Sequence, residues 1–293
     1  MRFGNGPDQC DDLGARDVWV WKADGTYYMH YDAAGPNGWL CSLATSNDLL
    51  KWSKHGPVLD FGAAGTDDHR SASFGVTCSC EGRWHMFYMG TPNTSPAPEY
   101  VPAFPYLTMK AEAASPKGPW RKRYDVVPFR TEAGTYYAVT ASPGHVVRMG
   151  RQYRMFFSAA MIDGGRVQRT LGIARTEDLD RGWRIDPQPI VSSEEQIENS
   201  SLYYQPDDKT WFLFTNHVGI GDDAQGEYTD AVWVYWSKDL DRWDATHKAV
   251  VLDGANCSWS RKCIGLPSVI RVGNRLAIFY DAPGSDRTSH VRR

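Results

Sequence analysis

Val18-Trp19-Val20-Trp21-Lys22, the turn Ala23-Asp24-Gly25 and Thr26-Tyr27-Tyr28-Met29-His30-Tyr31 decide the fold. Both runs are rich in β-branched and aromatic residues, and an Asp-Gly pair between such runs signals a short hairpin. The arrangement recurs along the chain. Phe74 to Ser79 leads through Cys80-Glu81-Gly82 to Arg83-Trp84-His85-Met86-Phe87-Tyr88. Val146-Val147-Arg148 leads through Met149-Gly150 to Tyr153-Arg154-Met155-Phe156-Phe157. Leu202-Tyr203-Tyr204 and Trp211-Phe212-Leu213-Phe214 flank Pro206-Asp207-Asp208, and Val269-Ile270-Arg271 and Leu276 to Tyr280 flank Gly273-Asn274.

A further element follows most of these hairpins. Ala44-Thr45-Ser46-Asn47-Asp48-Leu49 runs to Trp52, Ala174 to Leu179 runs to Trp183, and Tyr235 to Leu240 runs to Trp243. Met109 to Trp120 is a looser copy. Each reads as a third strand, an Asx or Ser turn, and a Trp that packs between layers. The period of roughly 55 to 70 residues fits a propeller blade with long loops. The expectation is an all-β chain forming a single five-bladed β-propeller over residues 1–293. Its blades would span roughly 15–60, 67–125, 136–190, 196–250 and 263–293. The fifth lacks the Asp-Leu-x-x-Trp element, so its closure is left open.

Composition narrows the function. The formal net charge of -3 gives no basic field for nucleic acid or an anionic membrane surface. No apolar run approaches the roughly 20 residues that span a bilayer. Met1 to Gly14 is polar, without a secretory core, so the expected location is cytoplasmic or that of a mature secreted or periplasmic form. The six cysteines (Cys10, Cys41, Cys78, Cys80, Cys257 and Cys263) lack zinc-site spacing and read as buried thiols, with a Cys257–Cys263 bridge left open. Twelve Trp, 15 Tyr and 11 Phe are a heavy load: much of it sits in strand-like runs and reads as core, and some lies in loops, where aromatic faces could stack on sugars.

In a propeller the start of each blade's first strand and the loop after its second strand share one mouth of the channel. The repeat therefore selects Arg16-Asp17 with the loop Asp32 to Trp39, and Asp67-Asp68-His69-Arg70 with the loop Thr91 to Tyr106. It also selects Tyr136 to His145 with Met161 to Arg169, Gln196 to Asn199 with Asn216 to Asp230, and Cys263 to Pro267 with Asp281 to His290. A carboxylate beside a narrow channel is costly unless it is used or paired. Asp17 and Glu198 are both so placed. Two carboxyl groups facing a pocket suit glycosidic cleavage, one protonating the leaving oxygen while the other activates water or attacks the sugar. The competing reading is that each pairs with an arginine, and Arg16 adjoins Asp17.

On Ala15-Arg16-Asp17 with Gly25-Thr26-Tyr27-Tyr28, on Ile197-Glu198-Asn199 with Leu202-Tyr203-Tyr204, and on the Thr-Ser-x-Asp-Leu strand ends, the chain resembles the five-bladed glycoside hydrolases of families 43, 32 and 117. The resemblance implies Asp17 as general base or nucleophile and Glu198 as general acid. It also implies an Asp at the start of a middle blade, where this chain has Ser142; His145 or Asp68 would have to take over its work. Since some family 117 relatives are thought to use a histidine acid, His69, His145, His217 and His290 are weighed as mouth residues. Glu227, Asp230 and Asp281 join them, while Trp39, Tyr106, Tyr136 and Tyr137 are candidate sugar platforms.

The expected partner is a carbohydrate. No cofactor is required, no metal ligand is assigned, and a channel ion such as calcium is compatible with the architecture. The sequence leaves the sugar, the linkage and the oligomeric state open. Long loops at Thr91–Tyr106 and Gly219–Asp230 favour a pocket and chain-end attack. Two alternatives stand: a non-catalytic carbohydrate-binding propeller, suggested by Ser142, and a scaffold for protein partners.

Overall fold

The Asp24-Gly25 and Glu81-Gly82 turns adopt positive φ at both positions (47° and 80°, 50° and 75°), as two-residue hairpins with right-twisted strands require. Such hairpins organise a computed structural model that describes residues 1–220 and 227–283. The first unit is an antiparallel meander of β1 (Gly14–Ala23), β2 (Thr26–Gly35), β3 (Gly38–Ser46) and β4 (Ser53–Pro57). The second comprises β5 (Ser71–Cys80), β6 (Arg83–Thr91), β9 (Tyr106–Ala113) and β10 (Arg121–Lys122); a small ribbon, β7 (Asn93–Thr94) with β8 (Pro102–Ala103), lies in its long loop. The third is β11 (Thr140–Met149), β12 (Gln152–Asp163), β13 (Arg166–Thr176) and β14 (Arg184–Ile185). The fourth is β15 (Ile197–Gln205), β16 (Thr210–Ile220), β17 (Glu227–Ser237) and β18 (Lys248–Leu252). A hairpin of β19 (Ser268–Val272) and β20 (Arg275–Phe279) follows. The described residues include two short 3₁₀ turns and no α-helix.

The first strands of successive units touch: β1 meets β5, β5 meets β11, β11 meets β15, β15 meets β19, and β19 returns to β1. Side chains tie these junctions. Ser268 Oγ accepts from the backbone N–H of Val20 at 2.9 Å, and Ser201 Oγ accepts from Val269 N–H at 2.9 Å.

The Asp-Leu-x-x-Trp elements explain the outer packing. In the first, Ser46 Oγ accepts from Leu49 N–H at 2.9 Å and Asp48 Oδ1 from Lys51 N–H at 2.8 Å, and Trp52 Nε1 donates to Leu49 O at 3.0 Å. Trp183 and Trp243 make the matching bonds to Leu179 O and Leu240 O. Each indole is thereby held edge-on to the second strand of a neighbouring unit: Trp183 to Phe87, Trp243 to Phe156, and Trp52 to Phe279. Trp120 of the looser copy meets His30 in the same way. Apolar clusters fill the space between units, as where Phe87 joins Met155 and Phe157. The six cysteines are separate thiols.

Candidate active site

At one end of these first strands the ladder breaks in a repeated way. The register shifts between Arg16 and Trp19, Ser73 and Val76, Ser142 and His145, and Glu198 and Ser201. Asp17, Phe74 and Asn199 sit in these bulges with φ of 54°, 44° and 60°. Positive φ is uncommon outside glycine, and a bulge re-aims the side chains beside it. Here it turns them into a cavity of about 330 Å³ lined by Arg16, Asp17, Phe74, Tyr106, Ser142, Arg169, Glu198, Asn199 and Asp281, among others.

Each acid has an arginine neighbour. Arg16 Nε lies 3.3 Å from Asp17 Oδ2, with its guanidinium 4.4 Å above the Trp39 ring. Burial works against the Arg16 charge, but Asp17 and then Asp32 more than offset it and hold the guanidinium protonated. Across the cavity, Arg169 Nε lies 3.4 Å from Glu198 Oε2, and Asn216 Nδ2 donates to Glu198 Oε1 at 3.3 Å. Behind Asp17 is Asp32 of β2, 0% exposed, whose carboxyl accepts from the backbone N–H of Phe74. Burial first, then the nearby Asp17 charge, pushes the Asp32 carboxyl well above the usual carboxylate range.

Of the residues chosen from sequence, Arg16, Asp17, Glu198, Tyr106 and Asp281 line this cavity. Tyr106 is fixed by donating its phenol to Pro102 O at 2.8 Å. Trp39 is not a sugar platform: β2 and β3 continue past the expected loop, so its ring is 0% exposed beneath Arg16, donating to Glu99 O. Asp68 is also corrected. It is 0% exposed, away from the cavity, bound to Lys122 Nζ at 2.5 Å and to the Tyr88 phenol at 2.8 Å. Burial would raise its pKa, but Lys122 outweighs that and the net shift is downward.

His69 caps its own turn through Thr66 O at 2.7 Å, and Tyr136 donates to Asp186 O while packing on the core; neither lines the cavity. His145 does not line the cavity; its Nδ1 accepts from Leu202 N–H at 2.9 Å and its ring is edge-on to Trp19. Burial pushes it down to about 4, so it is a neutral structural imidazole and not a replacement acid. His217 stacks on Trp233, with centroids 4.2 Å apart, and meets Asp230 Oδ1 at 2.6 Å. That pair stands beside Tyr228 and Thr229 of the cavity rim without lining it. His290 lies outside the described residues, as do positions 221–226 of the loop expected to narrow the mouth.

Sequence reasoning did not single out Asp32, Arg169 or Asn216. A signal for Asp32 exists: Ala23 pairs with Thr26, so counting outward along the hairpin sets Asp32 opposite Asp17, and the bulge moves its partner to Arg16. The repeat had placed Arg169 at the end of the Met161–Arg169 mouth loop, but its pairing with Glu198 joins separate units and could not be read from it. One group that could hold a cation occurs among the described residues, His85 with Glu112 and Asp180. Lys110 and Arg123 already pair with both carboxylates there, and none of the three lines the cavity.

No family model and no curated protein sequence matches the chain. Solved structures do match its fold. A glycoside hydrolase superposes with a TM-score of 0.73 at 16% identity, over 95% of this chain and 86% of that one. An exo-1,5-α-L-arabinanase from a bovine ruminal metagenomic library gives 0.68 at 13% identity, over 97% and 92%. A family 117 glycoside hydrolase produced by the marine bacterium Zobellia galactanivorans gives 0.61 at 16%, over 83% and 72%. The chain shares the all-β architecture of these glycoside hydrolases.

Proposed function

We propose that this chain is a glycosidase built as a five-bladed propeller, each meander and the final hairpin forming one blade. Its substrate is the end of an oligo- or polysaccharide chain, with Asp17 as general base or nucleophile and Glu198 as general acid. The observation that carries this reading is that both carboxyl groups, from β1 and β15, line one cavity. The fold shared with an exo-arabinanase supports it, and the β7–β8 ribbon within the Thr91–Tyr106 loop supports a closed end. Ser142 on the cavity wall, where a third carboxylate would help the acid, favours a second reading: a propeller that binds sugar without cleaving it.

Hydrolysis of a panel of aryl glycosides and oligosaccharides tests this. D17N and E198Q should each lower kcat/KM by about 10²- to 10⁴-fold. E198Q should lose less on aryl glycosides, whose leaving groups need little protonation, while D17N should lose equally on both. A protein that binds sugars and cleaves none supports the second reading. Unimpaired hydrolysis by both variants refutes the site assignment.

A further inference from the structure

The first and fourth units place their side chains alike around the bulge. Arg16 pairs with Asp32 in the first, and Glu198 with Asn216 in the fourth. The next residue is the positive-φ one, Asp17 or Asn199. In the fourth unit Asn199 Nδ2 donates to Asn216 Oδ1 at 2.9 Å, so an amide pair supplies its own donor. In the first unit the same two places hold Asp17 and Asp32, whose carboxyl groups lie within hydrogen-bonding reach of each other. Two carboxylates bring only acceptors.

Asp32 has little else to compensate a charge. Its Oδ1 accepts from Phe74 N–H, and no donor among the described residues is placed to bond its buried Oδ2. Among the described residues the titratable and charged groups facing it are Arg16 and Asp17 from β1 and Cys41 from β3; β5 offers the Phe74 amide. Burial, then the Asp32 charge, pushes the Cys41 thiol well above its ordinary value, so it stays neutral and adds no charge of its own. Among the described residues Arg16 is the cation that faces Asp32, and its guanidinium contacts Asp17 instead.

We propose that Asp32 is a positioning residue that carries a proton and donates it to the Asp17 carboxylate, fixing that group at the cavity and holding the pair at a single negative charge. This rests on Asp17 being the reacting carboxylate. No bond to substrate forms at Asp32; its proton stays within the pair while Asp17 acts. The device varies the blade repeat: in the fourth unit the amide of the positive-φ residue Asn199 donates to its neighbour, and in the first the neighbour, Asp32, donates as a neutral acid.

Difference infrared spectroscopy of wild type against D32N, between about pH 5 and pH 7 and so above the ordinary aspartic acid value of about 3.9, reads the proton directly. The expected result is a neutral carboxylic acid carbonyl band in wild type that is missing in D32N. Carboxyl ¹³C titration of the wild-type aspartates should show one staying neutral over that range, and needs no variant. In kinetics, D32N keeps a donor and should lose less than about tenfold in kcat, while D32L should lose about 100-fold with KM nearly unchanged. No band difference, or no neutral aspartate, overturns the proposal even if hydrolysis depends on Asp17. A band difference in a protein that cleaves no glycoside establishes the proton and refutes the hydrolase reading instead.

Discussion

The first and fourth units use one backbone device for opposite electrostatic ends. Both carry a bulge with a positive-φ residue at the cavity, and both bury the partner residue of β2 or β16 behind it. In the fourth unit that partner is Asn216, 0% exposed, which donates to Glu198 and accepts from Asn199. In the first it is Asp32, which faces another carboxyl group. The amide is neutral at every pH, so the fourth unit is indifferent to solvent acidity at this position. The acid must hold a proton to be tolerated. The difference between the two units is therefore one of protonation, arising from a change of one side-chain atom in each of two paired residues.

Making the fourth unit like the first should have the largest effect. N216D replaces the donor to Glu198 by a buried carboxyl facing Glu198 and its Arg169 partner. Stability should fall by about 2 to 4 kcal/mol near pH 8. The folded pKa of the new group lies above its unfolded value of about 3.9, so the loss should be small near that pH and grow as pH rises. Urea denaturation of N216D and wild type at the two ends of this range measures it. A pH-independent loss would mean that the new carboxyl finds a cation.

The reverse change, D32N, should act with the opposite sign. The Asp32 pKa is raised on folding by burial and by Asp17, so its contribution to stability holds below the unfolded value and is lost as pH rises through the folded one. Asparagine has no such titration. The urea midpoint of D32N, relative to wild type, should therefore climb with rising pH. A constant difference across the range would show that Asp32 is as fully ionised in the folded protein as in the unfolded chain.

The repeat itself was plain in the sequence because it is local: strand runs, Asp-Gly or Glu-Gly turns, and Asp-Leu-x-x-Trp elements each fall within a dozen or so residues. The same locality put Asp17 and Glu198 at strand starts, and both line the cavity. What the sequence concealed depends on register and on neighbours from other units. Trp39 looked like a loop aromatic because β2 runs on to Gly35 and β3 begins at Gly38, both inside the expected Asp32–Trp39 loop. Asp68 and His145 looked like mouth residues, but Lys122 of β10 claims one and the Leu202 amide of β15 the other. Arg169 meets Glu198 only because β13 lies against the next unit. No one-dimensional period reports such a meeting.

The smallest effect concerns how bulges are tolerated. A bulge frees a backbone N–H that must find an acceptor. For Phe74 the acceptor is Asp32, and for Asn199 it is Ser158 Oγ at 2.9 Å. Both acceptors stand at the same register position of the preceding unit, since Ser158 pairs with Ser142 as Asp32 pairs with Arg16. In the second unit that position is Met89, paired with Ser73, and a methionine has no strong acceptor to offer. The bulge residue that follows is Pro143, which has no N–H to satisfy. S158A should consequently cost about 1 kcal/mol, read as a lower urea midpoint with an unchanged slope. P143A exposes a donor opposite Met89 and should cost a similar amount, part of which M89S restores in the double variant. Strict additivity of P143A and M89S would break the link between acceptor and bulge. Coupling would make the proline part of the repeat's hydrogen-bond logic, in which Asp32 is the acceptor that also meets the Asp17 carboxyl group.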